Sequence, residues 1–275
     1  MKIMVCGLGL IGGSMAKSLI RAGYSVGGFD REEKVVRAAL EQGAIAEIAE
    51  NPSDYDVVFI ALPPDAAMRY LDSSVFSDGA IVADICGVKS ALERCVYARS
   101  RNFRYVGCHP MAGKEVSGFE NSDAALFDGA AMIVVQSEKT DGEAVSVLEK
   151  LFSEMRFGLI RRCSAAYHDE KIAYTSQLAH IVSNAYVKSP SANGFYGFTG
   201  GSFQDMTRIA GVDEAVWSRL YMLNRGALVK ELQILSDNLQ KYLAALQEGD
   251  EDAIRRLLRE GRVRKEELDA EKKID

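Results

Sequence analysis

A histidine at the end of a short apolar segment is the first residue of this sequence whose position suggests chemistry. His109 lies in residues 107–118, which read Gly-Cys-His-Pro-Met-Ala-Gly-Lys-Glu-Val-Ser-Gly, and the 275-residue chain has only three histidines. An imidazole titrates near neutral pH, so it can accept or donate a proton during a reaction. A histidine that leaves a late strand of an α/β sheet lies where such sheets bind ligands. The alternative is that His109, like many histidines near turns, is a hydrogen-bonded structural residue.

Three glycines near the N-terminus have the spacing of a dinucleotide-binding turn. They form Gly-x-Gly-x-x-Gly directly after an apolar segment and at the start of a helical one. In this motif the first glycine allows a tight turn, the second lets the backbone approach a pyrophosphate, and the third lets helix and strand pack closely. The free N–H groups at the helix start favour an anion. We expect the cofactor-binding residues of this turn to be Gly7, Leu8, Gly9, Leu10, Ile11 and Gly12.

An acidic residue ends the second apolar segment, where it can select the cofactor. Asp30 lies 18 residues after Gly12. A carboxylate at this position accepts hydrogen bonds from the adenosine ribose and repels a 2′-phosphate, so NAD is predicted rather than NADP. The guanidinium of the adjacent Arg31 can either pair with such a phosphate or stack on adenine. Asp30 is also suited to cap the following helix, and the two roles are compatible.

Composition and charge narrow the class of protein. The chain is 48% hydrophobic and 26% charged, with a formal net charge of −6. Without a basic stretch it has no electrostatic footprint for nucleic acid or for an anionic membrane. No apolar run approaches the roughly 20 residues of a membrane-spanning helix. Five scattered cysteines without Cys-x-x-Cys spacing predict neither a disulfide framework nor a metal site. We expect a cytoplasmic protein with small-molecule partners.

The periodicity of the sequence predicts two domains. Up to about residue 160, apolar segments alternate with helical ones, which is typical of a Rossmann-type α/β domain with a mainly parallel sheet. The predicted strands are residues 2–6, 25–30, 57–62, 80–86, 104–108 and 132–136, and helices are predicted over 10–21, 31–42 and 90–101. After about residue 162, helical periodicity follows over 166–188, 202–210, 213–247 and a charged terminal stretch over 250–275. We predict an NAD-binding domain over 1–162 and an all-helical substrate-binding and dimerisation domain over 163–275.

The longest predicted helix carries an apolar stripe, and Asp213 is its predicted N-cap. At alternating spacings of four and three, the stripe consists of Leu228, Leu232, Leu235, Leu239, Tyr242 and Leu246. Such a stripe predicts either a core face within the chain or, in a helix this long, an interface with a second copy. We expect a homodimer formed through the helical domain.

Several motifs in this order resemble the prephenate and arogenate dehydrogenases of tyrosine biosynthesis. The similarity covers nearly the whole chain. It depends on the N-terminal glycine motif, residues 84–89 (Asp-Ile-Cys-Gly-Val-Lys), the His109 segment, residues 176–180 (Ser-Gln-Leu-Ala-His) and residues 200–210 (Gly-Gly-Ser-Phe-Gln-Asp-Met-Thr-Arg-Ile-Ala). The resemblance implies an oxidative decarboxylation, in which C4 of the substrate ring loses a hydride to NAD and C1 loses carbon dioxide. The product would be 4-hydroxyphenylpyruvate from prephenate or tyrosine from arogenate.

The resemblance also implies roles for individual side chains. His109 would accept the hydrogen bond, and then the proton, of the C4 hydroxyl, and Arg208 would bind a substrate carboxylate. The other implied substrate-site residues are His180 and Ser176 in the pocket, Glu115 at its mouth in positioning or gating, and Gly201 and Trp217 in shaping it. For each of these residues an ordinary core, loop or surface role is the alternative.

One residue departs from the family pattern. Family members carry a serine that hydrogen-bonds near the catalytic histidine, and this chain has Gly87 there, so either Ser90 or a water is expected to substitute. A thiol nucleophile is not expected, because the consecutive residues Cys108 and His109 point to opposite faces of a strand. Two other functions are the alternatives. A β-hydroxyacid dehydrogenase would need a catalytic lysine motif that is not found, and a non-catalytic NAD sensor would leave the histidines and Arg208 without a joint purpose.

Overall fold

One eight-stranded sheet forms the core of the computed structural model, which describes residues 1–271. The strands lie in the order β3-β2-β1-β4-β5-β6-β7-β8, and every neighbouring pair is parallel except β6 and β7. The strands are β1 (Ile3–Cys6), β2 (Val26–Phe29), β3 (Glu47–Ile48), β4 (Val57–Ile60), β5 (Ile81–Asp84), β6 (Arg104–Pro110), β7 (Ala131–Val135) and β8 (Leu159–Cys163). The predicted α/β class with a mainly parallel sheet is confirmed.

Helices follow most strands and continue after the last one. They are α1 (Leu10–Arg21), α2 (Glu33–Glu41), α3 (Pro64–Ser73), α4 (Ser90–Tyr97), α5 (Gly142–Glu154), α6 (Ala165–Ile172), α7 (Ala179–Tyr186), α8 (Gly201–Thr207), α9 (Glu214–Leu223), α10 (Arg225–Glu248) and α11 (Glu251–Glu271). A π-helical turn, Ala173–Leu178, joins α6 to α7. Lys272 to Asp275, the end of the predicted terminal helix, lie outside the described residues. Among residues 1–271 no helix is long and apolar enough to cross a membrane.

The sheet is buried on both faces, which explains why its central strands read as uninterrupted apolar runs. In β1, Ile3 and Val5 belong to one apolar cluster, and Met4 and Cys6 belong to another. Successive side chains of a strand point to opposite faces, so these clusters lie on the two sides of the sheet. The strand order reverses at β1, between β2 and β4. A crevice for ligands is expected at the carboxyl ends of the strands where the order reverses.

Two predicted helices are interrupted in the structure. The helix predicted over 213–247 breaks at Asn224, whose buried amide donates hydrogen bonds to the carbonyl oxygen of Asp169 and to Oε1 of Gln177, both at 2.8 Å. The helix predicted over 166–188 contains the π-helical turn. The predicted N-cap is confirmed, because Oδ1 of Asp213 accepts a hydrogen bond from the Val216 N–H at 2.9 Å.

Two strands were not predicted, and both lie at the edges of the sheet. β3 has only two residues and both are exposed, while the apolar run of β8 is interrupted by the consecutive Arg161 and Arg162. Edge strands are half-solvated, so their apolar signal is weak. The chain divides into one compact unit, Met1–Arg225, and a second that begins at Gly226. This division differs from the predicted boundary after residue 162, which stays a prediction.

Candidate active site

In the turn between β1 and α1, two of the motif's glycines are required by packing within the chain and one is not. A Cβ on Gly12 would lie 1.8 Å from the carbonyl oxygen of Gly7, and one on Gly7, whose φ is +90°, would lie 2.5 Å from that of Ala61. Both positions therefore require glycine for packing. A Cβ on Gly9 would meet nothing within 4 Å. Packing within the chain does not explain the glycine at position 9, whereas a ligand lying against the backbone would.

The start of α1 is electrostatically open to an anion. Gly9 is its N-cap, no side chain caps the helix, and the first turn contains no acidic residue. The unpaired N–H groups and the helix dipole there favour a phosphate. Leu8 is buried, and Leu10 and Ile11 open the helix, so this turn has the features required to hold a dinucleotide pyrophosphate.

Asp30 ties the end of β2 to the glycine turn. Its Oδ2 accepts a hydrogen bond from the Leu8 N–H at 2.8 Å, and its Oδ1 accepts one from the Glu32 N–H at 3.0 Å. Each oxygen keeps a further lone pair for a hydroxyl group. The N-cap residue of α2 is Glu32, so Asp30 does not cap that helix. Arg31 is exposed beside it.

A cavity of about 830 Å³ lies beyond the end of β6. This volume is within the range of ordinary small-molecule sites. Predicted site residues that line the cavity are His109, Glu115, Ser176, His180 and Trp217, and Gly87 lines it as well. The sequence motifs, which are more than 100 residues apart along the chain, therefore meet at one site within Met1–Arg225.

His109 is held by a second histidine that the sequence analysis did not single out. Its Nδ1 lies 2.8 Å from Nε2 of His168, and Nδ1 of His168 lies 2.8 Å from Oδ1 of Asp169. The carboxylate of Asp169 also accepts hydrogen bonds from the Lys89 N–H at 2.8 Å and the Ser90 N–H at 2.9 Å. A continuous hydrogen-bonded chain therefore runs from the cavity to the start of α4.

The surroundings of His109 favour a neutral imidazole. Burial lowers the pKa of His109 well below its usual range, and the nearby His168 and Lys89 lower it further, while Asp169 opposes them. Burial also lowers the pKa of His168, and the hydrogen bond that His168 donates to Asp169 opposes this effect. Burial alone would raise the pKa of Asp169, but its hydrogen bonds outweigh this effect and lower it. Near neutral pH the hydrogen-bonded chain of His109, His168 and Asp169 therefore consists of two neutral imidazoles and a carboxylate.

A buried ion pair supports the same strand end. Lys89 and Asp84 are both fully buried and form a salt bridge, and Nζ of Lys89 donates to the carbonyl oxygen of Cys108 at 2.6 Å. Tyr105 donates its hydroxyl to Oδ2 of Asp84 at 2.5 Å. Burial raises the pKa of Cys108, and of Cys86 nearby, so both thiols are protonated. Protonated, buried thiols agree with the expectation that neither cysteine is a nucleophile.

The π-helical turn presents further side chains to the cavity. Directly after this turn, His180 on α7 packs against Trp217 with ring centroids 3.9 Å apart and planes tilted by 32°, and its Nδ1 lies 3.0 Å from the carbonyl oxygen of Ser176. A carbonyl can only accept, so Nδ1 of His180 carries a proton, and in the neutral imidazole Nε2 is an acceptor. Short π-helical segments are frequent at functional sites.

Arg208 and Glu115 form a salt bridge at the rim of the cavity. Glu115 lines the cavity, whereas Arg208, at the end of α8, reaches it through this partner. Both side chains are exposed. Gly201 is the exposed first residue of α8 and does not line the cavity. The predicted carboxylate-binding guanidinium is thus paired with a carboxylate of the chain itself.

Two family matches together span most of the chain. The family described as "Prephenate dehydrogenase, nucleotide-binding domain" matches residues 15–160, and "Prephenate dehydrogenase, dimerization domain" matches residues 164–260. The chain belongs to the prephenate dehydrogenase family. The predicted family and fold class are therefore confirmed, and so is the prediction that the protein is a dehydrogenase.

Relatives of this family resemble the chain along most of its length. A prephenate dehydrogenase of Bacillus subtilis is 29% identical over 82% of this chain and 65% of its own. The structure of an arogenate dehydrogenase from Synechocystis superposes with a TM-score of 0.81 at 26% identity and covers 98% of this chain and 100% of its own. An Aquifex aeolicus prephenate dehydrogenase, in complex with hydroxyphenyl propionate and NAD+, has a TM-score of 0.83 at 27% identity over 97% and 98% of the two chains.

Gly87 leaves space beside the histidine where prephenate dehydrogenases are expected to carry a serine. A Cβ on Gly87 would lie 3.8 Å from Nε2 of His109 and 3.7 Å from Cδ2 of Leu220, which are ordinary contacts. Ser90, one of the two substitutes considered above, donates its N–H to Asp169 instead. The side chain that hydrogen-bonds to His109 is His168. The adjacent His168 and Asp169, in a chain with three histidines, were the sequence signal from which this contact could have been predicted.

Proposed function

We propose that this chain is an NAD-dependent dehydrogenase that oxidatively decarboxylates prephenate or arogenate in tyrosine biosynthesis. The observation that carries the proposal is the cavity in which His109, His180 and Glu115 meet, in a chain with a dinucleotide-type glycine turn. The relatives named above act on these two substrates by name. The alternative of an NAD sensor requires no such convergence of titratable side chains.

The cofactor is assigned as NAD rather than NADP. Gly9 leaves the backbone open to a pyrophosphate, and the lone pairs of Asp30 suit the ribose hydroxyls while its charge disfavours a 2′-phosphate. Arg31 is exposed and free to stack on adenine. When bound, NAD supplies the acceptor for the hydride that leaves C4. Residues 1–162 are proposed as the NAD-binding domain and residues 163–275 as the substrate-binding and dimerisation domain.

His109 is proposed to handle the proton of the C4 hydroxyl. The O–H bond of the C4 hydroxyl breaks as its proton moves to Nε2 of His109, while C4 becomes a carbonyl carbon by losing its hydride. The bond from C1 to its carboxylate then breaks, carbon dioxide leaves, and the electron pair makes the ring aromatic. The ring oxygen takes the proton back from His109, so no net proton is released. A neutral imidazole in the free enzyme suits both steps.

The substrate carboxylates are proposed to be bound at the rim and wall of the cavity. Arg208 binds one of them by exchanging its Glu115 partner for the substrate, so Glu115 acts as a gate. Ser176 contributes a polar contact from the π-helical turn and His180 one from the first turn of α7, and Trp217 fixes the His180 ring. Gly201 is assigned no contact, since it starts α8 away from the cavity.

A homodimer in the cytoplasm is proposed as the working form. Along the apolar stripe of α10, Leu228 is buried, but Leu239 and Leu246 are 59% and 68% exposed in the single chain. A long helix with an exposed leucine stripe is stabilised by a second copy. Light scattering should give twice the mass of the chain, and Leu239→Glu should shift it towards the monomer. A wild-type mass equal to that of a single chain would contradict the dimer.

Steady-state kinetics with prephenate and arogenate, each with NAD and NADP, test the function. His109→Asn should reduce kcat by about 10²–10⁴-fold, the range of general base catalysis, while NADH binding stays within twofold. Tyr24→Phe, which removes only the hydroxyl of a half-buried side chain, bonded to Glu154 outside the cavity lining, is a control that should leave both unchanged. A wild-type enzyme that binds NADH but turns over neither substrate would establish the sensor instead.

A further inference from the structure

The hydrogen-bonded chain behind His109 has an anchored end at Asp169. Both carboxylate oxygens accept main-chain N–H groups, from Lys89 and from Ser90. The backbone of Asp169 is fixed as well, because its carbonyl oxygen accepts the Asn224 amide at 2.8 Å. A carboxylate is an acceptor only, so the hydrogen in its contact with His168 belongs to Nδ1 of His168.

This donor sets the protons of both imidazoles. A neutral His168 with a proton on Nδ1 has a bare Nε2, which can only accept. The 2.8 Å contact to His109 is then a hydrogen bond donated by Nδ1 of His109. The second nitrogen of His109, Nε2, is left without a proton, and it lies on the side of Gly87, which lines the cavity.

We propose that His168 and Asp169 are positioning residues that hold His109 in the tautomer with bare Nε2 towards the substrate. The inference rests on the proposed function, since it assigns how the base for the C4 hydroxyl is prepared. When Nε2 takes that proton, the positive charge of the imidazolium faces His168 through the Nδ1–H bond and is stabilised by the carboxylate beyond it. The same logic of carboxylate, imidazole and tautomer operates in serine hydrolases.

The charged and titratable groups around His109 come from four directions. His168 and Asp169 lie on α6, Lys89 precedes α4, and Asp84 lies behind Lys89 at the end of β5. On the cavity side, the lining includes Lys114, Glu115, His180 and Asp213. Only His168 contacts a ring nitrogen of His109 among the described hydrogen bonds, so a change at His168 tests the tautomer directly.

The test compares two substitutions of His168, one with a hydrogen-bond acceptor and one without. The amide oxygen of His168→Gln can accept from Nδ1 of His109, whereas His168→Leu has no acceptor. Ring ¹⁵N shifts of His109 report which of its nitrogens carries the proton, and kcat, KM, NADH affinity and the pH profile are measured alongside. Ser183→Ala, a buried change in α7, is the packing control and should alter none of these readouts.

We expect wild-type His109 to carry its proton on Nδ1. In His168→Leu the proton should shift towards Nε2 and kcat should fall about 100-fold, with KM and NADH affinity within threefold. In His168→Gln the tautomer should be retained, kcat should recover to within about tenfold of wild type, and the acid limb of the pH profile should move.

Three results would overturn the proposal: Nε2–H in wild-type His109, a folded His168→Leu enzyme with kcat within threefold, or a Gln variant no better than Leu. If His168→Leu fails to fold, the proposal is still tested by the His109 tautomer that the ¹⁵N shifts report in the wild type and in His168→Gln. Absence of wild-type turnover with both substrates would remove the proposed function instead, and the ¹⁵N shifts would continue to test the tautomer.

Discussion

Alanine substitutions of two glycines in the β1–α1 turn should have opposite effects on folding and on cofactor binding. In Gly12→Ala, the new Cβ would lie 1.8 Å from the carbonyl oxygen of Gly7, so the backbone must move. In Gly9→Ala, the Cβ meets nothing within 4 Å, and the backbone angles of Gly9, φ −70° and ψ −160°, suit alanine. The second methyl group is therefore harmless until a ligand lies against it.

The structure sets the expected magnitudes. A clash with backbone that cannot rotate away should lower the free energy of unfolding in Gly12→Ala by about 2–4 kcal/mol. Gly9→Ala should change it by less than about 0.5 kcal/mol. A methyl group intruding on the bound pyrophosphate should cost about 1–3 kcal/mol of binding, which corresponds to about a 5- to 150-fold higher Kd for NADH.

Urea unfolding and NADH fluorescence titration separate the two effects. Gly43→Ala offers a control for alanine at a glycine with φ +66° and open space, where only backbone strain is added. A Gly9→Ala protein that is fully stable yet binds NADH as tightly as wild type would refute the assignment of this turn to the pyrophosphate. A Gly12→Ala protein as stable as wild type would refute the packing argument.

Three further predictions concern the cavity. Gly87→Ser should place a hydroxyl within hydrogen-bond reach of Nε2 of His109, and a bond to the neutral imidazole should move the acid limb of kcat/KM to lower pH, whereas Gly87→Ala should not. Burial lowers the pKa of His109 and His168 in the folded chain, so the unfolded chain binds more protons below about pH 6.5. The free energy of unfolding should therefore fall as the pH drops below 6.5, by at most about 1.4 kcal/mol per pH unit for each group, and less steeply in His168→Gln; a flat urea series would contradict this. Arg208→Ala should raise KM about 10- to 100-fold through loss of a charge-assisted hydrogen bond, with NADH affinity unchanged, and an unaltered KM would exclude Arg208 from carboxylate binding.

Local signals were sufficient to predict the parts of the site that depend on one stretch of chain. The glycine turn and Asp30 combine within 30 residues, and an apolar strand before a helix defines their context. His109 was recognisable because few histidines occur and the predicted strand 104–108 ends directly before it, although the strand β6 itself extends to Pro110. The central strands are buried on both faces and therefore have strong apolar signals, whereas the edge strands β3 and β8 have weak ones.

Contacts between distant segments were beyond the reach of the sequence. His168 meets His109 across 59 residues, and Arg208 meets Glu115 across 93 residues. The break at Asn224 depends on acceptors from Asp169 and Gln177 that only the folded chain brings near it. Helical periodicity continues through residue 224, because a polar side chain on one turn does not disturb the pattern.

Lys89 forms hydrogen bonds to the neighbours of both histidines of the pair. Its ammonium group binds the carbonyl oxygen of Cys108, directly before His109, and its own N–H binds Asp169, directly after His168. A rigid movement of this residue would therefore displace both imidazoles in the same direction and leave their 2.8 Å contact intact. One residue thus couples the segment that carries the base to the segment that carries its support, so a substitution of Lys89 should disturb both imidazoles at once.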